Sequence, residues 1–139
     1  MVESDDETTE ELIEFFVDFC SDRLRSIIRY DDEDYEILYG RADAFAPDSE
    51  TEMRAFVDDF REIERQERQR MAMYSMGSHH ATVRVYDEAV VVYFLQGDSI
   101  GTVVSVDPSM AGQLNSFIAQ SLEAIYDTDQ EVPNAPDWV

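Results

Sequence analysis

The chain contains no lysine: all ten of its basic residues are arginine, against 32 aspartates and glutamates, and the net charge is −22. It has one cysteine, Cys20, so no internal disulfide framework is available to it. Cys20 falls within an apolar helical pattern and reads as a buried thiol behaving as a small hydrophobe. Two histidines and five glycines leave little material for a metal centre or a phosphate-cradling loop. The longest apolar run, residues 89–95 (AVVVYFL), is too short to span a bilayer. The N-terminal stretch MVESDDETTEE has neither a basic leader nor an apolar core, so it does not read as a secretion signal. A cytoplasmic protein with no membrane association is expected.

What is present is a chain 44% hydrophobic and 12% aromatic over 139 residues, enough for one domain with a real core. Uncompensated negative charge on so small a domain opposes compaction at ordinary ionic strength. At about 1 M salt the screening length falls to roughly 3 Å and that repulsion mostly disappears. The acids are spread over termini, turns and helix exteriors and are not gathered on one run. That distribution favours adaptation to high salt over mimicry of a nucleic acid or a dedicated basic partner.

Periodicity supplies the architecture. Residues 1–7 read as an acidic arm, and Thr8 with Glu11 has capping-box spacing. Leu12, Phe16, Phe19, Cys20 and Leu24 then recur at helical spacing, to an end near Arg23. From residue 24 to 41 the period becomes two. Ser26, Ile28 and Tyr30 alternate with Arg25, Ile27 and Arg29, and beyond the acidic turn Asp31-Asp32-Glu33-Asp34 come Tyr35, Ile37 and Tyr39 on one side, a hairpin pattern. Ser49 with Glu52 marks a second helix start, and Met53, Phe56, Val57, Phe60 and Ile63 form its apolar stripe. Residues 64–70 (ERQERQR) carry no hydrophobe, and Gly77 reads as the end of the helical region. Residues 81–106 read as a three-strand meander whose middle run, 89–95, is apolar on both faces, as a strand covered on both sides would be. Asp107 and Pro108 are a favoured pairing at a helix start, and Met110, Leu114, Phe117, Ile118 and Ile125 give the third helix its stripe. The tail from 127 to 139 reads as flexible. The predicted fold is α+β, an α/β sandwich of order α-β-β-α-β-β-β-α: a five-stranded antiparallel sheet with helices on both faces, in a single domain over residues 8–126.

This element order, over residues 8–126, resembles that of roadblock, longin and profilin-like domains. The segments LRSIIRYDDEDYEILYGRADAF (24–45) and TVRVYDEAVVVYFLQGDSIGTVVSVDP (82–108) are similar to a group of small acidic haloarchaeal proteins of unknown function. Their shared residues are those of strands, turns and a cap, so the resemblance implies a salt-rich setting and brings no catalytic residue. The topological resemblance implies a homodimer surface made by the second helix and third strand.

Candidate chemistry is sparse. His79 and His80 are sequence neighbours whose side chains on a strand point to opposite faces. With Met71, Met73 and Met76 upstream, a soft-metal site is conceivable, but packing of a loop is the better reading, and no metal or other cofactor is expected. The acids at 31–34 lack the glycine and distal glutamate of a calcium loop. No nucleophile elbow, glycine-rich phosphate loop, Cys-x-x-Cys or zinc-helix motif occurs, and an enzyme is not expected. Tyr35, Tyr39, Tyr86, Tyr93 and Phe94 supply aromatics to a possible sheet pocket. Trp138 reads as part of a free end.

The most informative charges are positive. Arg54, Arg61, Arg65 and Arg68 fall within a sector roughly 60° wide on the second helix. Each has acids nearby, including Asp58, Glu62 and Glu64, so surface ion pairs are one reading and direct nucleic-acid binding is not expected. The other reading makes these four a partner surface. The leading functional expectation is therefore a non-catalytic regulatory or scaffolding domain, a homodimer or a partner for another protein, associating through its second helix and third strand. A small-molecule sensor binding in a sheet pocket is the alternative.

Overall fold

A computed structural model describes residues 6–43, 50–97 and 100–128. The first helix, α1, spans Asp6–Cys20 and passes through a 3-10 turn, Ser21–Arg23, into strand β1, Leu24–Tyr30. Strand β2, Tyr35–Gly40, completes the hairpin, and helix α2 spans Glu50–Met71. Strands β3 (Ala81–Val85), β4 (Val90–Gly97) and β5 (Ile100–Val106) follow as a meander. A 3-10 segment, Pro108–Gln113, then leads into helix α3, Leu114–Thr128. The order α-β-β-α-β-β-β-α and the antiparallel five-stranded sheet agree with the sequence pattern.

The strands lie in the order β2-β1-β5-β4-β3, so β5 is central and β2 and β3 are the edges. Strand β4 lies between β5 and β3 and is buried on both faces, which accounts for its uninterrupted apolar run. Val90, Val92 and Phe94 join Leu12, Phe16, Phe117 and Ile125 in the core under α1 and α3. Val91 and Tyr93 point the other way and join Met53, Val57 and Phe60 of α2, with Ile28, Tyr30 and Val103. Cys20 is fully buried in the first core, and desolvation pushes its thiol up to about 11.

Four local expectations are corrected. The helix pattern opens at Asp6, ahead of the Thr8 capping-box position, and the Ser49 cap lies outside the described residues. Tyr35, Ile37 and Tyr39 do not share a face. A bulge between Ile27 and Ile28 sets Ile27 opposite Tyr39 but Ile28 opposite Ile37, so Tyr35 packs on the α2 side and Tyr39 on the α1–α3 side. Helix α2 stops at Met71, not at Gly77. Gly77 instead adopts φ 81, the left-handed backbone that lets the chain turn toward β3. Asp107 precedes Pro108 as expected but makes no side-chain cap. Its carboxylate takes two bonds from Arg41, at 2.9 Å each, and one from Arg25 at 3.4 Å. Those contacts tie the ends of β1, β2 and β5 together and hold its acid below the usual carboxylate range, through the Arg41 bonds first.

Candidate interaction surface

Among the described residues, α2 is the helix that packs on this sheet face, and the arginine stripe runs along its flank. The acidic hairpin turn explains where two of those arginines go. Asp31 Oδ1 accepts the backbone N–H of Glu33 at 2.9 Å and of Asp34 at 2.8 Å, an Asx-type turn that leaves carbonyls aimed outward. Arg61 collects them: Nε donates to the Asp31 carbonyl and Nη2 to the Asp34 carbonyl, both at 2.7 Å, while Nη1 pairs with Asp58 at 2.6 Å. Its guanidinium lies 5.8 Å from the Tyr30 ring centroid and its side chain is only 8% exposed. Arg54 donates to the Glu33 carbonyl at 3.1 Å and sits 5.2 Å from the Tyr35 ring centroid. These two side chains staple α2 to the hairpin. Arg65, paired with Glu62 at 2.6 Å, is more than half exposed, and Arg68 reaches Glu64 at 3.0 Å.

Glu64 is where the hydrophobe-free stretch meets the core. Lacking a hydrophobe does not keep this stretch out of the core, since Glu64 is 6% exposed. Oε2 accepts the Tyr30 hydroxyl at 3.2 Å and Oε1 accepts Arg68. Desolvation raises its acid above the ordinary glutamate value, with Arg68 and the Tyr30 bond acting in opposition. Burial also raises the Tyr30 phenol, which stays protonated as the donor. The Tyr30 ring leaves no room across the sheet: a Cβ on Gly101 would come within 2.8 Å of its hydroxyl and 2.7 Å of the Phe94 carbonyl.

Several large hydrophobics beyond this anchored half are exposed: Phe56 on α2, Met73, Tyr74 and Met76 on the segment behind it, and Tyr86 just after β3. Val85 is exposed too, on the α1–α3 side of the sheet, since it pairs with Val90. Among the described residues, strand β3 pairs with β4 alone, so its other edge has no partner strand there. A groove of about 170 Å³ runs between α2 and β3–β4, lined by Phe56, Phe60, Ile63, Tyr86, Val91 and Tyr93, with Asp59 and Arg84 as its charged groups. Phe56, Phe60 and Tyr93 make a continuous ring contact at 4.3 and 4.6 Å. Of the aromatics expected in a pocket, Tyr86 and Tyr93 line this groove, Phe94 belongs to the opposite core, and Tyr35 and Tyr39 lie elsewhere.

The histidines are engaged locally. His80 Nδ1 meets the Tyr126 hydroxyl at 2.6 Å, and burial lowers its pKa. His79 Nε2 lies 2.7 Å from the Thr82 hydroxyl. Among the described residues no group of three or more His, Cys, Asp or Glu side chains converges as metal ligands. No described helix is long and apolar enough to cross a membrane.

Residues 10–126 match the family of a domain of unknown function, DUF7522, and the chain belongs to it. No curated protein and no solved structure matches the chain. The groove escaped the periodicity reading because it joins residues from two distant elements. One signal was nevertheless present: Arg84 is the only arginine after Arg70.

Proposed function

We propose that this domain is a non-catalytic regulatory or scaffolding module of a salt-rich cytoplasm that self-associates through α2 and β3. The observation that carries this reading is the pair of exposed aromatics Phe56 and Tyr86, which line one groove between α2 and β3–β4, beside a β3 edge that has no strand partner among the described residues. An open strand edge is a template for another strand, and natural proteins usually blunt or cover it. Here apolar side chains flank the edge and leave it attractive to a second copy. Pairing of the same patch on two copies is isologous and closes as a dimer. Arg65 and Arg68, exposed on the same helix, would meet acidic residues of the second copy at the rim. Arg54 and Arg61 serve the surface indirectly, by fixing the angle at which α2 presents it. The element order shared with roadblock-like domains supports the same surface. Amide hydrogen exchange of β3 in molar KCl tests the reading. Protection that grows with protein concentration is expected, and β3 amides that exchange equally fast at all concentrations would contradict it.

The second reading, a small-molecule sensor, is favoured by the groove itself, where an arginine sits among aromatic walls.

A further inference from the structure

Most arginines of this chain have a carboxylate beside them. Arg25 and Arg41 share Asp107, Arg54 meets Asp34, Arg61 meets Asp58, and Arg65, Arg68 and Arg70 each hold a glutamate three or four residues back on α2. With 32 acids to choose from, pairing is the default. Arg84 departs from it. Among the described residues it forms no ion pair; its guanidinium lies 5.4 Å from the Tyr93 ring centroid and bonds to the Tyr86 side chain. Stacking on a ring leaves the edge of a guanidinium free to donate in the plane, in the fork geometry that fits a carboxylate. The groove beside it has about 170 Å³, close to the roughly 150 Å³ of an apolar cavity that accommodates benzene. Its walls offer edge and face contacts to one further ring.

We propose that the groove between α2 and the β3–β4 pair binds a small organic carboxylate built on a single aromatic ring, with Arg84 pairing the carboxylate and Phe56, Tyr86 and Tyr93 enclosing the ring. The proposal rests on the sensor reading of this groove. Ring burial supplies the part of the affinity that salt does not weaken, and the guanidinium selects the anion. Asp59 lines the same groove and Glu67 acts on Arg84 at longer range, so the opposite charge preference is the natural competitor.

The test is a heteronuclear NMR titration of the full chain in 2 M KCl, at a protein concentration where its oligomeric state has been measured. Benzoate is compared with benzyl alcohol, benzylamine and acetate. Benzoate is expected to shift amides of β3, β4 and residues 56–63 saturably, at least tenfold more tightly than benzyl alcohol or acetate. Arg84→Gln is expected to bring benzoate down to the affinity of benzyl alcohol while leaving benzyl alcohol unchanged. Tighter binding of benzylamine, equal binding of acetate, or indifference to Arg84→Gln would overturn the carboxylate assignment and leave a sensor for another ligand class. The absence of a saturable shift with all four compounds would overturn both the assignment and the sensor reading.

Discussion

One helical turn separates Arg61 from Arg65, and their surroundings give them opposite weights. Arg61 is buried and bonds two turn carbonyls. Arg61→Ala is expected to cost about 2 kcal/mol or more, read from denaturant unfolding in molar salt. Arg65→Ala, at a pair exposed on both sides, should stay within about 0.5 kcal/mol. Glu64 gives a pH signature. Its acid titrates above the ordinary value in the folded chain, so between about 4.3 and that raised value the folded state holds more protons than the unfolded one. Stability then falls as pH rises through the window. The wild type should lose stability relative to Glu64→Gln between pH 4 and pH 7, measured by parallel thermal melts. A difference that is flat or grows the other way would mean that Arg68 and Tyr30 outweigh burial. The stripe was legible in the sequence because helical spacing alone defines it. The burial of Glu64 was not, since it depends on Tyr30, which lies on a strand 34 positions away.

At the scale of elements, the hydrophobic period located the three α-helices and five strands of the described residues, because the helices and the inner strands bury at least one face. It failed where a single residue changes the register. The bulge between Ile27 and Ile28 reverses which side of β2 faces which core, and no local pattern announces it. The Asp107–Pro108 pair opens the 3-10 segment and not the third helix, which starts at Leu114, and the carboxylate serves three strand ends. The groove is a product of packing: Phe56 and Tyr93 were each readable as core, and only the crossing of α2 over β4 leaves a channel beside them. Gly101 tests the junction between sheet and helix. Gly101→Ala drives a Cβ into the Phe94 carbonyl and the Tyr30 hydroxyl and is expected to cost about 1–3 kcal/mol, the range of core overpacking. Its melts should also lose part of the pH response assigned to Glu64, since the Tyr30 hydroxyl must move.

For the whole molecule, the net charge of −22 and the unpaired β3 edge act together. Salt that screens the acids also allows two copies to approach, and it strengthens apolar association for some anions. The melting temperature is expected to rise on going from 0.1 M to 2 M KCl, and a melting point independent of salt would separate the charge from any salt adaptation. Self-association is the central claim, and sedimentation equilibrium in 2 M KCl tests it most directly, on the wild type and on Phe56→Glu/Tyr86→Glu, two exposed positions that line the same groove. The account predicts twice the chain mass for the wild type and a folded single chain for the variant. A wild type that remains a single chain at the highest concentration, or a variant that assembles as well as the wild type, would contradict it.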